Sequence, residues 1–158
     1  MARDFPGIAK RAADAPGSIL ILGAPGWGKT TLLRDLIRQI GEKQCVSVVD
    51  ERGELFPEGL ERGKKTDILT GCPKSPGIDM VLRTMGPDCI AVDEITAEAR
   101  ALLRAANCGV RLLATAHGTS AADFRRRSVY RPLAESGVFQ TLLILRQDKS
   151  FRAERAAL

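Results

Sequence analysis

Residues 23–30 read Gly-Ala-Pro-Gly-Trp-Gly-Lys-Thr, a complete G-x-x-x-x-G-K-[ST] phosphate-binding loop. Such a loop works between the end of a buried strand and the start of a helix, so it commits the chain to an α/β core. Chance produces the pattern in only roughly 0.5% of chains this long. Gly23, Gly26 and Gly28 are expected to take positive φ and bring backbone N–H groups close to a polyphosphate. Lys29 supplies positive charge for the β- and γ-phosphates, and Thr30 offers a hydroxyl to Mg²⁺. The nucleotide-binding set is therefore Gly23, Ala24, Pro25, Gly26, Trp27, Gly28, Lys29, Thr30 and Thr31, with Lys29 solvated in the empty loop.

The flanks agree with this reading. Ile19 to Leu22 is a wholly apolar run, as a buried parallel strand requires. After the loop, Leu32, Leu33, Leu36, Ile37 and Ile40 follow helical spacing, and Gly41 stands where a C′ glycine ends a helix. The loop thus lies at a helix N-terminus, where the dipole also favours an anion.

Three further apolar runs each hand off to a polar residue. Cys89 to Val92 ends in Asp93-Glu94. Asp93 is expected to hold Mg²⁺ through water, together with Thr30, and Glu94 to polarise the attacking water. Val46 to Val49 ends in Asp50-Glu51-Arg52-Gly53-Glu54. These acids orient a water, bind Mg²⁺ indirectly or form an inert ion-pair cluster, and the residues leave the three open. Val110 to Ala116 ends in His117, the only histidine, which suits a sensor of the γ-phosphate. The catalytic set is Glu94, Glu51, Glu54 and His117. In open α/β sheets, ligands bind beyond the carboxyl ends of the strands, and all these residues are placed there.

The remaining chain is read more coarsely. Residues 1–17 form a polar lead-in, and residues 18–158 the catalytic domain. Residues 52–77 form one long connection rich in glycine and proline. Helices are expected over 78–85, 97–107 and 121–127, and a last strand over 139–145. A mainly parallel sheet flanked by helices, with an extra strand between the phosphate-loop strand and the Asp93 strand, is a RecA-like P-loop NTPase arrangement. Cys45 and Cys89 precede apolar runs and read as reduced core residues. No apolar run nears the ~18 residues of a membrane span, and residues 1–17 lack the apolar segment of a signal peptide. A place in the cytosol follows as the expectation. Net charge is +5, with basic side chains gathered in residues 118–158, where eight face four acids. That surface is a solvated face, a subunit contact or a nucleic-acid contact.

Several stretches carry a resemblance: Gly-Lys-Thr-Thr-Leu-Leu-Arg-Asp-Leu (28–36), Val-Asp-Glu-Arg (49–52), Thr-Asp-Ile-Leu (66–69), Gly-Cys-Pro-Lys (71–74), Val-Asp-Glu-Ile (92–95) and Ala-Thr-Ala-His-Gly (114–118). Through them the chain resembles the stage III sporulation AA family, which is related to the traffic ATPases of type II and type IV secretion. Gly-Cys-Pro-Lys is the most specific stretch, since no generic ATPase motif demands it. Asp50-Glu51 with Glu54, and His117, occupy the places of the acidic and histidine boxes of those ATPases. Family members carry an additional N-terminal domain, so the chain reads as the C-terminal ATPase domain. Two features depart from the family: Trp27 replaces a small residue, and the stretch between Glu94 and Asn107 is slightly shorter.

The resemblance implies an Mg²⁺-dependent ATPase that binds ATP and releases ADP, powering a channel between mother cell and forespore. It implies a homo-oligomeric ring, a hexamer, lying peripherally at the cytoplasmic face of membrane-embedded channel components on the mother-cell side. Arg52, Arg83 or one of Arg125 to Arg127 is the expected source of an arginine finger. One rival is a nucleic-acid-dependent ATPase, which the 4% aromatic content disfavours because base stacking needs aromatics. The other is a nucleotide-gated interaction module with little turnover, which intact Asp93-Glu94 disfavours.

Overall fold

A computed structural model describes residues 5–15, 17–57, 60–148 and 150–155. Residues 1–4 and Pro16 of the lead-in, Gly59 of the long connection and Lys149 of the basic end lie outside the described residues. The strands are β1 (Ser18–Gly23), β2 (Val46–Asp50), β3 (Thr66–Thr70), β4 (Cys89–Val92), β5 (Arg111–His117), β6 (Phe139–Leu145) and β7 (Phe151–Arg155). The helices are α1 (Phe5–Asp14), α2 (Lys29–Ile40), α3 (Lys74–Thr84), α4 (Ala99–Asn107), α5 (Ala121–Arg126) and α6 (Arg131–Ser136).

The seven strands form one sheet in the order β3-β2-β4-β5-β1-β6-β7. All neighbours pair in parallel except β6 and β7, which run antiparallel. The expected extra strand is β5, seated between β1 and β4. Alternation along each strand divides the core in two. Ile19, Ile21, Val48, Ala91, Leu113 and Leu143 face α1 and α2, whereas Leu20, Leu22, Ile90, Val92, Leu112 and Leu142 face α3 to α6. Since both faces are covered, the central strands are apolar throughout, which is why they stood out in the sequence.

Several expectations are corrected. The lead-in contains α1, whose Ala9 and Ala12 are buried in the same core as Leu33, Leu36 and Ile37 of α2. Arg111 at the start of β5 secures the segment after α1, donating hydrogen bonds to the carbonyls of Gly17 at 2.6 Å and Ala15 at 2.7 Å. The long connection contains β3 and the first turn of α3. Pro76 is tolerated there because first-turn N–H groups have no intrahelical partner to lose. Gly41 ends α2 with φ −66°, in the right-handed region. Glycine is needed for space instead, because a Cβ would lie 2.2 Å from Thr66 Oγ1. Cys45 is exposed, whereas Cys89 is buried as expected. Burial pushes the Cys89 thiol up to about 11, so it stays protonated.

Candidate active site at the carboxyl edge of the sheet

Parallel pairing brings the ends of β1, β2, β4 and β5 to one edge. Gly23 lies in register with His117, and Val92 with Ala114. The loop closes with Trp27 N–H on the Ala24 carbonyl at 3.2 Å. Gly26 and Gly28 take φ of 78° and 98°, as expected. Gly23 does not take positive φ; it serves close approach, since a Cβ there would sit 3.2 Å from Lys29 Cγ. Pro25, Gly26 and Thr31 are exposed, Ala24, Trp27, Gly28 and Thr30 are partly buried, and Lys29 is buried. Trp27 packs against the α2-side core.

Lys29 corrects the expectation of a solvated side chain. It is 4% exposed, and its Nζ lies 2.9 Å from Oε1 of Glu94. The alignment of that contact gives the ammonium no hydrogen bond, so its donor capacity is largely unused. Glu94 is 48% exposed at the side chain and is the only described non-glycine residue with positive φ, 55°.

The start of α2, the end of β4 and β5 meet at Asp93. Thr30 Oγ1 donates to Asp93 Oδ2 at 2.9 Å, and Thr115 Oγ1 donates to Asp93 Oδ1 at 2.6 Å. Thr115 Oγ1 also accepts the Glu94 N–H at 2.8 Å. One buried hydroxyl therefore sets both acids. The Thr30 hydroxyl and the Asp93 carboxylate are hard oxygen donors side by side, and this donor chemistry fits Mg²⁺. Thr115 had a sequence signal, a hydroxyl inside an otherwise apolar run two residues before His117.

A cavity of about 380 Å³ opens beside these acids, with Asp50, Glu51, Glu54, Lys74, Asp93 and Glu94 in its lining. Glu51 and Glu54 thus share a cavity with Glu94. Asp50 is occupied structurally, accepting the N–H groups of Glu54 at 3.2 Å and Leu55 at 2.8 Å. Arg34 of α2 donates to the Leu55 carbonyl and ties this loop down. A larger cavity of about 600 Å³ lies at the opposite edge, lined by Lys10, Gln44 and Arg111, and none of the strand-end acids reaches it.

His117 ends β5 beside the loop, and its N–H donates to the Tyr130 hydroxyl at 3.2 Å. Tyr130 in turn donates to the Ile95 carbonyl at 3.2 Å. Burial pushes the phenol above its ordinary value, so it remains a donor. Tyr130 was not foreseen; it joins the histidine strand to the segment after Glu94.

The candidate arginines separate. Arg52 lines the acidic cavity. Arg83 lies in the last turn of α3, where the neighbouring Met85 reaches Ser47 near the start of β2, so within one chain it is at the wrong end of the sheet. Arg126 and Arg127 pair with Asp123 at 3.0 and 3.3 Å. Burial raises the Asp123 pKa, but the Thr119 N–H and both guanidiniums outweigh it and hold the carboxyl below its ordinary range. Arg125 is exposed.

The VirB11 ATPase of the Brucella suis type IV secretion system, solved with sulphate, is similar over 96% of this chain and 51% of its own, with TM-score 0.70 and 20% identity. The pilus retraction motor PilT, solved with ADP, is similar over 90% of this chain and 45% of its own, with TM-score 0.66 and 19% identity. These likenesses show the fold, which is RecA-like as expected. Stage III sporulation protein AA of Bacillus subtilis is 39% identical across 82% of this chain and 47% of its own length, so the chain spans about half of that relative. The family described as Sporulation stage III, protein AA, matches residues 5–154, and the chain belongs to it.

Proposed function

We propose that the chain is an ATP-hydrolysing motor domain acting on a secretion or feeding channel during endospore formation. The observation that carries the reading is the Thr30–Asp93–Thr115 hydrogen-bond chain set beside the Lys29–Glu94 pair. It joins the phosphate loop, the metal acid and the water-activating acid through short side-chain contacts. In this reading the loop amides and Lys29 hold the phosphates, and Thr30 with Asp93 holds Mg²⁺. Bound Mg²⁺ supplies charge neutralisation to the phosphates. Glu94 takes the proton of the attacking water, Glu51 or Glu54 assists, and His117 reads the γ-phosphate. A positioned base of this kind contributes about 10²- to 10⁴-fold in rate.

The domain works as part of a ring, a hexamer, at the cytoplasmic face of membrane-embedded channel components on the mother-cell side. Family membership and the secretion-ATPase fold support this. The ATPase domain includes α1, which shares a core with α2, as well as the residues after it. Arg52 or Arg125 supplies the missing transition-state charge to a neighbouring subunit.

Steady-state hydrolysis of Mg-ATP at rising protein concentration, with solution mass measured alongside, is the direct test. The rate per protomer is expected to rise with concentration, because an arginine from a neighbour is worth roughly 10³-fold or more. A fast, concentration-independent rate from a monomer refutes the cross-subunit part. Absence of hydrolysis with tight ATP binding favours a second reading, a nucleotide-gated interaction module. One observation supports that alternative: the catalytic carboxylate is engaged by Lys29.

A further inference from the structure

Lys74 begins α3, and the ATPase reading gives it no role. Its position is unusual for a helix. The N-terminal end of a helix is electropositive, so the first turn favours acids and penalises a cation. The first turn of α3 nevertheless contains no acid and opens with this lysine. Gly71, with φ 73°, and Pro73, with φ −54° and ψ 147°, form the turn that aims the helix start at the sheet edge. The Gly71 N–H bonds the Glu51 carbonyl at 3.0 Å, which anchors that turn to the acidic loop.

From there Lys74 Nζ donates to the backbone carbonyl of Glu94 at 2.6 Å. Glu94 carries the left-handed backbone, which residues with a Cβ adopt at a cost. Such a conformation persists only when its surroundings hold it. Two side chains hold it here. Thr115 takes its N–H, and Lys74 takes its carbonyl. Between those two anchors, the Glu94 carboxylate meets Lys29 in the loop.

We propose that Lys74 is a positioning residue that clamps the Glu94 carbonyl, so fixing the left-handed backbone from which the Glu94 carboxylate reaches the phosphate loop. It acts through Glu94, not on phosphate, and its catalytic consequence rests on the ATPase reading above. Removing the ammonium leaves the Glu94 carbonyl without its side-chain donor, the backbone there being held only by the Glu94 and Ile95 N–H groups on Thr115 at 2.8 Å each, and the carboxylate then samples directions away from the loop.

The test uses Lys74→Met and Lys74→Arg in the whole chain, with two readouts. The first is residue-resolved amide hydrogen exchange, which needs no catalysis. In Lys74→Met, exchange at Glu94 and Ile95 is expected to quicken about tenfold, while Ile78 to Thr84 of α3 are unchanged and Lys74→Arg stays near wild type. Unchanged exchange at Glu94 and Ile95 overturns the proposal. So does quickening throughout α3, which would make Lys74 a helix-start residue only. The second readout is hydrolysis. In Lys74→Met, kcat is expected to fall about tenfold with no loss of ATP affinity, and Lys74→Met is expected to add nothing in a Glu94→Gln background. Additive losses in that double variant overturn the proposal, because Lys74 would then act independently of Glu94. If wild type fails to hydrolyse ATP at any concentration, the ATPase reading falls, and the exchange result alone decides for or against the clamp.

Discussion

Lys29 is the residue whose surroundings most change its expected behaviour. Read in the sequence it is a solvated loop lysine; in the fold its ammonium is buried against one half-exposed carboxylate. A buried charge with a single imperfect partner loses more hydration than the pair returns, so an apolar isostere is favoured. Lys29→Met is therefore expected to abolish ATP binding while raising stability by about 1 kcal/mol, roughly 2–4 °C in Tm for a domain of this size. Calorimetric titration and thermal unfolding read the two effects, and a lowered Tm would show that the pair stabilises the empty fold. The contiguous part of the site was plain in the sequence because a phosphate loop is built from consecutive backbone groups. Thr115, Tyr130 and Lys74 were not, because their relation to Asp93 and Glu94 exists only once the strands are aligned. Lys74 stood within a quoted stretch, yet its spacing from Glu94 along the chain conveys nothing of the contact.

At the level of elements, legibility followed burial. Strands β1, β2, β4, β5 and β6 are covered on both faces and read as apolar runs. Strand β3 lies at the sheet's edge with Ile68-Leu69 as its only apolar pair, and β7 at the other edge alternates apolar with charged residues. Helix α1 is hard to read in the sequence because Pro6 and Gly7 look like breakers and its buried residues, among those whose burial is described, are the alanines Ala9 and Ala12. The sequence pattern starts helix α3 at Ile78 rather than Lys74 because Pro76-Gly77 looks like a turn. Gly77 instead lets α3 lie close on β2: a Cβ there would come within 2.8 Å of Val49 Cγ1. Two effects compete in Gly77→Ala. Helix propensity gains about 1 kcal/mol, while overpacking a filled core costs about 1–3 kcal/mol. The clash is expected to win, lowering the urea midpoint. A raised midpoint would mean that Val49 yields without strain.

On the scale of the molecule, the sheet is held by unequal layers. Helices α3 to α6 cover one face, and α1 and α2 cover the other. The boundary that composition suggested, between residues 17 and 18, would therefore cut away part of a layer. A chain starting at Ser18 loses the Ala9 and Ala12 cover and the carbonyls of Ala13, Ala15 and Gly17 that Arg111 engages. It is expected to unfold at a lower urea concentration, with a broader transition, than the chain from Met1, as followed by circular dichroism. Equal midpoints would return residues 1–17 to the status of a linker.

The Lys29–Glu94 contact has a further meaning for an empty molecule. The carboxylate is an anion already sitting on the loop's cation, so under the proposed ATPase reading it is a tethered competitor of every incoming phosphate. In the proposed ATPase, each binding event would have to evict it, and each departure of product would let it return. Its tether makes it locally concentrated without making it tight, since the side chain is half exposed. Glu94→Gln removes the competitor's charge. This variant, slow in hydrolysis, is expected to bind ATP about two- to fivefold more tightly than wild type by calorimetry. Weaker binding would show instead that the carboxylate helps to receive the nucleotide. Tighter binding would mean that the carboxylate proposed to activate water also clears the loop between turnovers.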